Sequence, residues 1–538
     1  MKSECLSFSQ IPHSTPLFTD FLSYSPNVQK FYPHSPFFNQ WFKEEASQIN
    51  YDSKRRPGVS SILKRQNQHW GASEKTLANI DRLRAGALAV VTGQQVGLFG
   101  GPVFAIYKAL TAVKLADQAT RAGIDCVPIF WLATEDHDLA EVNQVAIPSA
   151  DYSLQSFTVP TQPLPAAPVG TIRFGAEIES VVGAATGILG PSSISDFLRE
   201  AYRPGETFGS AFARLFARLF ADWGVILLDA ADPEFHQIAE PIYQAAIERV
   251  SELDDALLAR GKELETAGYQ QQVKVTPSST LLFTLHGGAR VPVHRHPNGG
   301  TDFLIEDEQV SQGELLGRIK SAPQEFSANV LLRPVIQDYL LPTLAYVGGA
   351  AEVAYFAQVR VVYQALLERV TPIVPRLSAT IIEPKPKTLL ERYGLSLPDL
   401  FLGSEKLREL MAARSLPQEL QSAFDQAEAS LQKSLAAIRE SLGRLDPTLV
   451  DSATNAASKM RHQLTQLRAR AARAELRHEE ILARKADLLC NLLYPNKTLQ
   501  EREIAGAYFM ARQGTEFLQA LYNTIHTDCL DHQVVTIV

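Results

Sequence analysis

Between Leu88 and Lys108 an apolar run passes directly into glycine. Leu88 to Val91 is followed by Thr92-Gly-Gln-Gln-Val-Gly-Leu-Phe-Gly-Gly-Pro102 and then by the helix-forming Val103-Phe-Ala-Ile-Tyr-Lys108. This order predicts a buried parallel strand, a turn whose backbone N–H groups can approach a ligand, and a helix with Pro102 in its first turn. A helix N-terminus so placed attracts anions. The next apolar run, Cys126 to Leu132, leads into Glu135-Asp136-His137-Asp138. Three carboxylates and a histidine thus arrive where a second parallel strand ends, the edge at which open α/β sheets bind small molecules.

A chain of 538 residues exceeds one ordinary core, so two to four units are expected, some of them insertions. With 45% hydrophobic and 20% charged residues and a formal net charge of −8, it reads as globular, with no nucleic-acid partner. No apolar run reaches the roughly 18 to 20 residues of a membrane span, and Met1-Lys2-Ser3-Glu4 lacks the apolar core of a signal peptide, so no membrane partner and a cytoplasmic location are expected. Cys5, Cys126, Cys490 and Cys529 are scattered without a Cys-x-x-Cys spacing; they are expected to be reduced, Cys126 as a small core residue.

Two further strand-and-helix units follow. Phe208, Phe212, Leu215, Phe216 and Leu219 keep helical spacing, Trp223-Gly224 closes that helix, and the strand Val225 to Leu228 ends at Asp229, near Asp232-Pro233. Leu344 to Val347 then meets Gly348-Gly349, a helix from about Ala351 to Glu368, and Pro372-Ile-Val-Pro375, which brings Arg376 and Ser378 towards the same rim. The segments 150–205 and 270–306 differ in texture and read as insertions, the second with short strands at Val273 to Val275, Leu281 to Leu285 and Val291 to Val293. His286, His294 and His296 read as solvated hairpin residues beside the turn Pro297-Asn-Gly-Gly300.

From Leu420 the apolar positions Phe424, Ala427, Leu431, Leu435, Ile438, Leu442 and Leu445 step by threes and fours. Asp446-Pro447 supplies a cap and first-turn proline, and Met460, Leu464, Leu467, Ala471, Ala474, Ile481 and Leu488 continue the frame, broken at His478 and Lys485. Two long antiparallel helices are predicted, with Arg461, Arg468, Arg470, Arg473 and Arg477 solvated and the arm forming a homodimer.

Neither G-x-G-x-x-G nor G-x-x-x-x-G-K-[ST] occurs. The motifs above, with Phe130-Trp-Leu-Ala-Thr-Glu-Asp-His-Asp138, Leu332-Arg-Pro-Val-Ile-Gln-Asp338, Tyr346-Val-Gly-Gly349, Ala354-Tyr-Phe-Ala-Gln358, Pro375-Arg-Leu-Ser378, Leu445-Asp-Pro-Thr448 and Leu499-Gln-Glu-Arg502, resemble the BshC family in order and over essentially the whole chain. The resemblance implies an α/β fold with a Rossmann-like core akin to class I cysteinyl-tRNA synthetases, two connecting insertions and a C-terminal helical coiled-coil arm. It divides the chain as core at 1–149, 206–240 and 336–389, insertions at 150–205 and 241–335, coiled coil at 390–490 and a returning helical segment at 491–538. It implies a cysteine ligase of bacillithiol biosynthesis, joining the carboxylate of cysteine to the amine of glucosaminyl malate. Where relatives commonly carry Gly-Gly-Pro-Gly-Glu, this chain has Gly348-Gly-Ala-Ala-Glu352.

A carboxylate resists an amine until an oxygen becomes a better leaving group, so ATP with Mg²⁺ is the expected activator, through an acyl-adenylate or acyl-phosphate. Lys108, Arg333 and Arg376 are the cations expected to neutralise phosphate or malate, with Thr92, Gly93, Gln94, Gln95, Gly97, Gly100, Gly101, Gln337, Asp338, Gly348, Gly349 and Ser378 completing the binding surface. His137 or Asp136 is the expected base for the amine, with Asp138 or Glu135 orienting the imidazole or holding Mg²⁺. The same cluster could simply cap the following helix. Two alternatives are a metal-dependent hydrolase on Glu135, His137 and Glu141, the last two at i, i+4 spacing beside Asp136, and a non-catalytic coiled-coil scaffold.

Overall fold

The computed structural model describes residues 1–296, 302–414, 418–475 and 479–537. Two units result: residues 1–380 with 501–535, and residues 381–500 with 536–538.

The first unit is built on a parallel sheet of β1 (Leu88–Gln94), β2 (Cys126–Leu132), β3 (Ile226–Asp229), β4 (Thr343–Gly348) and β5 (Ile373–Pro375), in the order β5-β4-β1-β2-β3. Every residue of β2 and β4 is buried. A strand covered on both faces reads as an unbroken apolar run, which is why both are legible in the sequence. The strand order reverses between β1 and β4, the switch point at which such a sheet opens a crevice at its carboxyl edge.

Helix α1 (Phe104–Arg121) follows β1, and α2 (Phe208–Leu219) lies against β2. In α2 the rings of Phe212 and Phe216 stack at 4.1 Å and contact Phe130 of β2 at 5.8 and 5.1 Å, so the phenylalanine periodicity is a packing stripe. Pro102 is outside α1, contrary to expectation: it pairs with Ala505 as an isolated bridge, and the Val103 N–H donates to the Ile504 carbonyl. Helices α3 (Arg333–Leu340) and α4 (Ala350–Leu367) flank β4 in sequence.

Residues 150–205 contribute the strand Leu154–Thr158, paired with Gln144–Pro148, and the helices Glu177–Leu189 and Ser193–Ala201. The second insertion is an antiparallel sheet in the order Glu308–Ser311, Asp302–Ile305, Ala289–Arg295, Ser279–His286 and Phe326–Ala328. The strand expected at Val273 to Val275 is instead irregular backbone, where Gln358 bonds both the N–H and the carbonyl of Val273 in place of a neighbouring strand.

One cysteine expectation is corrected. Cys5 and Cys529 form a disulfide across 524 positions, a pairing that joins the two ends of the chain and has no local spacing to announce it, whereas Cys126 and Cys490 are free. Among the described residues no helix is long and apolar enough to cross a membrane.

The second unit contains α5 (Gln418–Leu445), α6 (Leu449–Glu475) and α7 (Glu479–Leu493). Asp446 and Pro447 form the turn between α5 and α6, the Asp446 carboxylate accepting the Thr448 N–H at 2.9 Å, so Pro447 precedes the helix it was expected to begin. The pair is antiparallel: Val450 lies opposite Gly443, and the Arg468 guanidinium is 3.1 Å from the Asp425 carboxylate. Leu464 and Ala471 pack against the cluster of Phe424 and Ala412. Arg477 and His478, the side chains of Arg473 and Ala474, and the turn Pro297 to Gly300 lie outside the described residues.

Candidate functional site

At the switch point a cavity of about 700 Å³ is lined by Gly93, Gln94 and Gln95 at the end of β1, by Glu135, Asp136 and His137 after β2, and by Gly349 and Glu352 after β4. The antiparallel insertion adds Phe283, Arg290 and His294. Lys108, Lys274, Arg290, Arg333, Arg376 and Arg502 outnumber the lining carboxylates Glu135, Asp136, Glu141 and Glu352, six against four, in a chain of net charge −8. That excess suits an anionic ligand.

The cationic wall is organised around Lys108. Its ammonium donates to the Gly93 carbonyl at 2.7 Å and to Gln94 Oε1 at 2.9 Å, and it forms an ion pair with Glu352 at 2.5 Å. An ammonium has three protons, and these are all engaged. Lys108 therefore holds the end of β1 to the start of α4, which corrects its expected role as a direct phosphate ligand. Burial draws the Lys108 pKa down against the attraction of Glu352. Glu352, although desolvation opposes it, is held below the usual carboxylate range by Lys108 and the Gly349 N–H; Tyr346 donates to it at 2.6 Å.

Arg333 begins α3 and meets no carboxylate among the described residues. Gln337, one turn on, accepts from it at 3.1 Å and the Tyr355 hydroxyl lies at 3.2 Å, with the ring of Tyr346 5.2 Å from the guanidinium. Arg502, exposed, is also without an acidic partner. Arg376 is bound to Glu501 at 2.6 Å and to the Leu377 carbonyl, leaving its Nε beside Gly349.

Elsewhere in the lining Gln95 donates to Asp136 at 2.6 Å, and Asp136 also accepts the His137 N–H at 2.8 Å. Arg290 bonds Ser327 Oγ, the Ala328 carbonyl and His137 Nδ1 at 2.9, 2.7 and 3.2 Å. Because a guanidinium only donates, that imidazole nitrogen is an acceptor already in use. Glu135 faces buried His236 at 3.4 Å, and the other ring nitrogen of His236 meets Tyr243 at 3.0 Å. Glu141 faces the cavity; desolvation raises its carboxyl above the usual range, Gln95 opposing and Asp138 and Asp136 adding to the shift.

Other expected site residues lie behind the cavity. Gly97, Gly100 and Gly101 spend their N–H groups on the Gln95 carbonyl, the Tyr202 hydroxyl with the Gly97 carbonyl, and the Leu98 carbonyl, so these amides serve the turn and not a ligand, a correction. Glycine is needed there because a Cβ at Gly97 would lie 2.9 Å from Gly101 Cα, and Gly100 and Gly101 both take positive φ. Thr92 is buried and donates to the Val347 carbonyl, tying β1 to β4. Gly348 is confined by Ile373 and Glu352, while Gln337, Asp338 and Ser378 are buried, the last on Glu501 and His532. Asp138 caps the short helix Leu139–Val142.

That helix begins after His137, so His137 and Glu141 do not share a helical face, and among the described residues no three His, Cys, Asp or Glu are gathered for a metal. Sequence reasoning missed Arg290, Glu352, Tyr346 and Arg502 and weighed Glu141 only as a metal ligand. Glu352 had a signal, three positions after Gly349 where a capping-box acid belongs. Arg290 had none, since a hairpin 153 positions from His137 delivers it.

Two family models match this chain: the N-terminal Rossmann-like domain of bacillithiol biosynthesis BshC over residues 1–377, and the C-terminal coiled-coil domain of the same family over 379–537. The chain belongs to the BshC family. It is 49% identical to a protein of Koribacter versatilis over 537 residues and 35% identical to one of Solibacter usitatus over 538, each covering 100% of both chains. A Geobacillus relative is 30% identical over 517 residues, covering 94% of this chain and 95% of its own. All three carry the name "Putative cysteine ligase BshC".

Proposed function

We propose that this chain is a cytoplasmic ligase that joins the carboxylate of L-cysteine to the amine of glucosaminyl malate, forming bacillithiol. The observation that carries this reading is the mixed lining of the cavity: Arg333 and Arg502, without acidic partners among the described residues, together with the carboxylates Glu135, Asp136 and Glu141. Arginines without acidic partners suit malate or phosphate oxygens, which they bind in bidentate fashion. Carboxylates suit an amine, which they attract as ammonium and relieve of its proton.

ATP supplies the leaving group that a free carboxylate lacks. A cavity of about 700 Å³ is within the usual range for such ligands. Arg333, Arg376 Nε and Arg502 would hold its phosphates, and Mg²⁺ on those oxygens needs only one or two protein carboxylates, for which Asp136 is placed. His137, with Nδ1 engaged by Arg290, is replaced as proton acceptor by Glu141, whose carboxyl desolvation raises above the usual range. Homodimerisation belongs to the same proposal, supported by Leu420, Ile438, Leu445, Met460 and Leu467, large apolar residues that the α5–α6 hairpin leaves exposed.

The test is purified protein with glucosaminyl malate, cysteine, ATP and Mg²⁺, followed by mass spectrometry of the thiol product. Product that depends on both ATP and Arg333 is expected. Absence of product, or product indifferent to Arg333→Met, overturns the assignment of this cavity.

A further inference from the structure

The two ends of the chain meet at a feature that amide-bond formation does not use. Cys5, exposed, and Cys529, partly exposed, are bonded to each other. Both line a second cavity in the first unit, of about 680 Å³, together with Asp20, Asp528 and Asp531. No lysine or arginine is among its lining residues. Lys114, whose ammonium donates to the carbonyls of Tyr522 and Ile525, lies within electrostatic range of Asp528 and offsets part of its charge. Asp531 also accepts the Phe8 N–H at 3.0 Å and the Asp20 carboxylate accepts from Tyr269, which fixes two of the three acids at the rim. A disulfide open to solutes therefore sits in a field set by carboxylates.

We propose that the Cys5–Cys529 bond is a thiol–disulfide exchange site selective for small aminothiols, molecules that carry a thiol and an ammonium group. The incoming thiolate attacks Cys5 Sγ, the sulfur of the more exposed cysteine. The Cys5–Cys529 bond breaks, Cys529 leaves as thiolate and takes a proton from solvent, and Cys5 is left in a mixed disulfide. A second aminothiol attacks that bond, releasing the symmetric aminothiol disulfide and the Cys5 thiol. Two thiols are oxidised and one protein disulfide is reduced, with no other oxidant or reductant required. Selectivity follows from charge. Three carboxylates repel an approaching thiolate, and an ammonium on the same molecule offsets that repulsion, a difference of roughly threefold to tenfold in rate per unit charge at low salt.

Protein isolated without reductant is exposed to cysteamine, 2-mercaptoethanol or mercaptoacetate at equal thiolate concentrations, quenched in acid, and analysed by peptide mass spectrometry. The expected result is a mixed disulfide on Cys5, formed fastest with cysteamine and slowest with mercaptoacetate. That spread should collapse in about 0.5 M salt, where the screening length is only a few ångströms, and in an Asp528→Asn variant. Equal rates for the three thiols at low salt overturn the proposal. So does alkylation of both Cys5 and Cys529 in the native protein before any thiol is added.

Discussion

Arg290 Nη1 lies 3.2 Å from His137 Nδ1, and the same guanidinium is held by Ser327 and the Ala328 carbonyl. An arginine from the antiparallel insertion is thereby locked onto the residue that follows β2, and the histidine acts as its acceptor. The consequence is a distinction between two substitutions. His137→Asn retains an acceptor near the position of Nδ1 and is expected to keep kcat/KM within about threefold. His137→Ala leaves a buried charged donor short of a partner and should lose about 10- to 100-fold, the worth of a hydrogen bond to a charged group. If His137 were itself the base, Asn and Ala would be equally inactive, and steady-state rates for the two variants decide between these roles.

Glu141 gives a pH prediction. Its carboxyl is raised chiefly by desolvation, with Asp138 and Asp136 contributing, so it takes up a proton at higher pH than an ordinary glutamate. The active form is the deprotonated one. The rate of amide formation should therefore fall as pH drops through a point above the usual carboxylate range, and Glu141→Gln should remove that limb while lowering kcat by about 10²- to 10⁴-fold, as expected for loss of a general base. A Glu141→Gln enzyme with an unchanged acid limb would assign the titration to another group.

The Lys108–Glu352 pair is a stability device whose cost appears only when one half is removed. Lys108 is buried and Glu352 half-buried, and Glu352 also receives the Tyr346 hydroxyl and the Gly349 N–H. Lys108→Met alone leaves an uncompensated carboxylate and is expected to cost about 3 to 5 kcal/mol in denaturant unfolding. The double variant Lys108→Met with Glu352→Gln should recover more than half of that loss. Additive costs in the double variant would show that the two residues act independently.

How much of this was readable beforehand follows from what is local. β2 and β4 are covered on both faces and appear as continuous apolar runs, and α2 and the α5–α6 hairpin appear through their stripes, so the architecture was legible. The site was legible where it follows a strand end, as at Gln95, Asp136 and Arg376. It was misread where polarity was taken for ligand contact. The amides of Gly97, Gly100 and Gly101 and the ammonium of Lys108 have partners inside the protein, and whether a donor is spent depends on residues up to 244 positions away, as with Lys108 and Glu352. Arg290, and the pairing of Cys5 with Cys529, come from tertiary proximity alone.

Two desolvated groups make opposite contributions to stability against pH, and their difference can be measured. His532 is fully enclosed, bridging Ser378 and Thr380 at 2.8 Å each, and desolvation lowers its pKa to about 4 despite the nearby Glu501. Between that value and the ordinary histidine range the unfolded chain carries the extra proton, so stability falls as pH is lowered through this window. Asp229, at the end of β3, is raised to about 6, mainly by desolvation against the Thr134 hydroxyl bond. Here the native state carries the extra proton between the ordinary aspartate range and about 6, so stability falls as pH rises through that window. The two partly cancel in the parent protein. His532→Gln should flatten the loss of melting temperature on acidification, and Asp229→Asn should steepen it by removing the opposing term. Melting curves between about pH 4 and 7, the span these shifts cover, would reject the account if both variants moved the slope in the same direction.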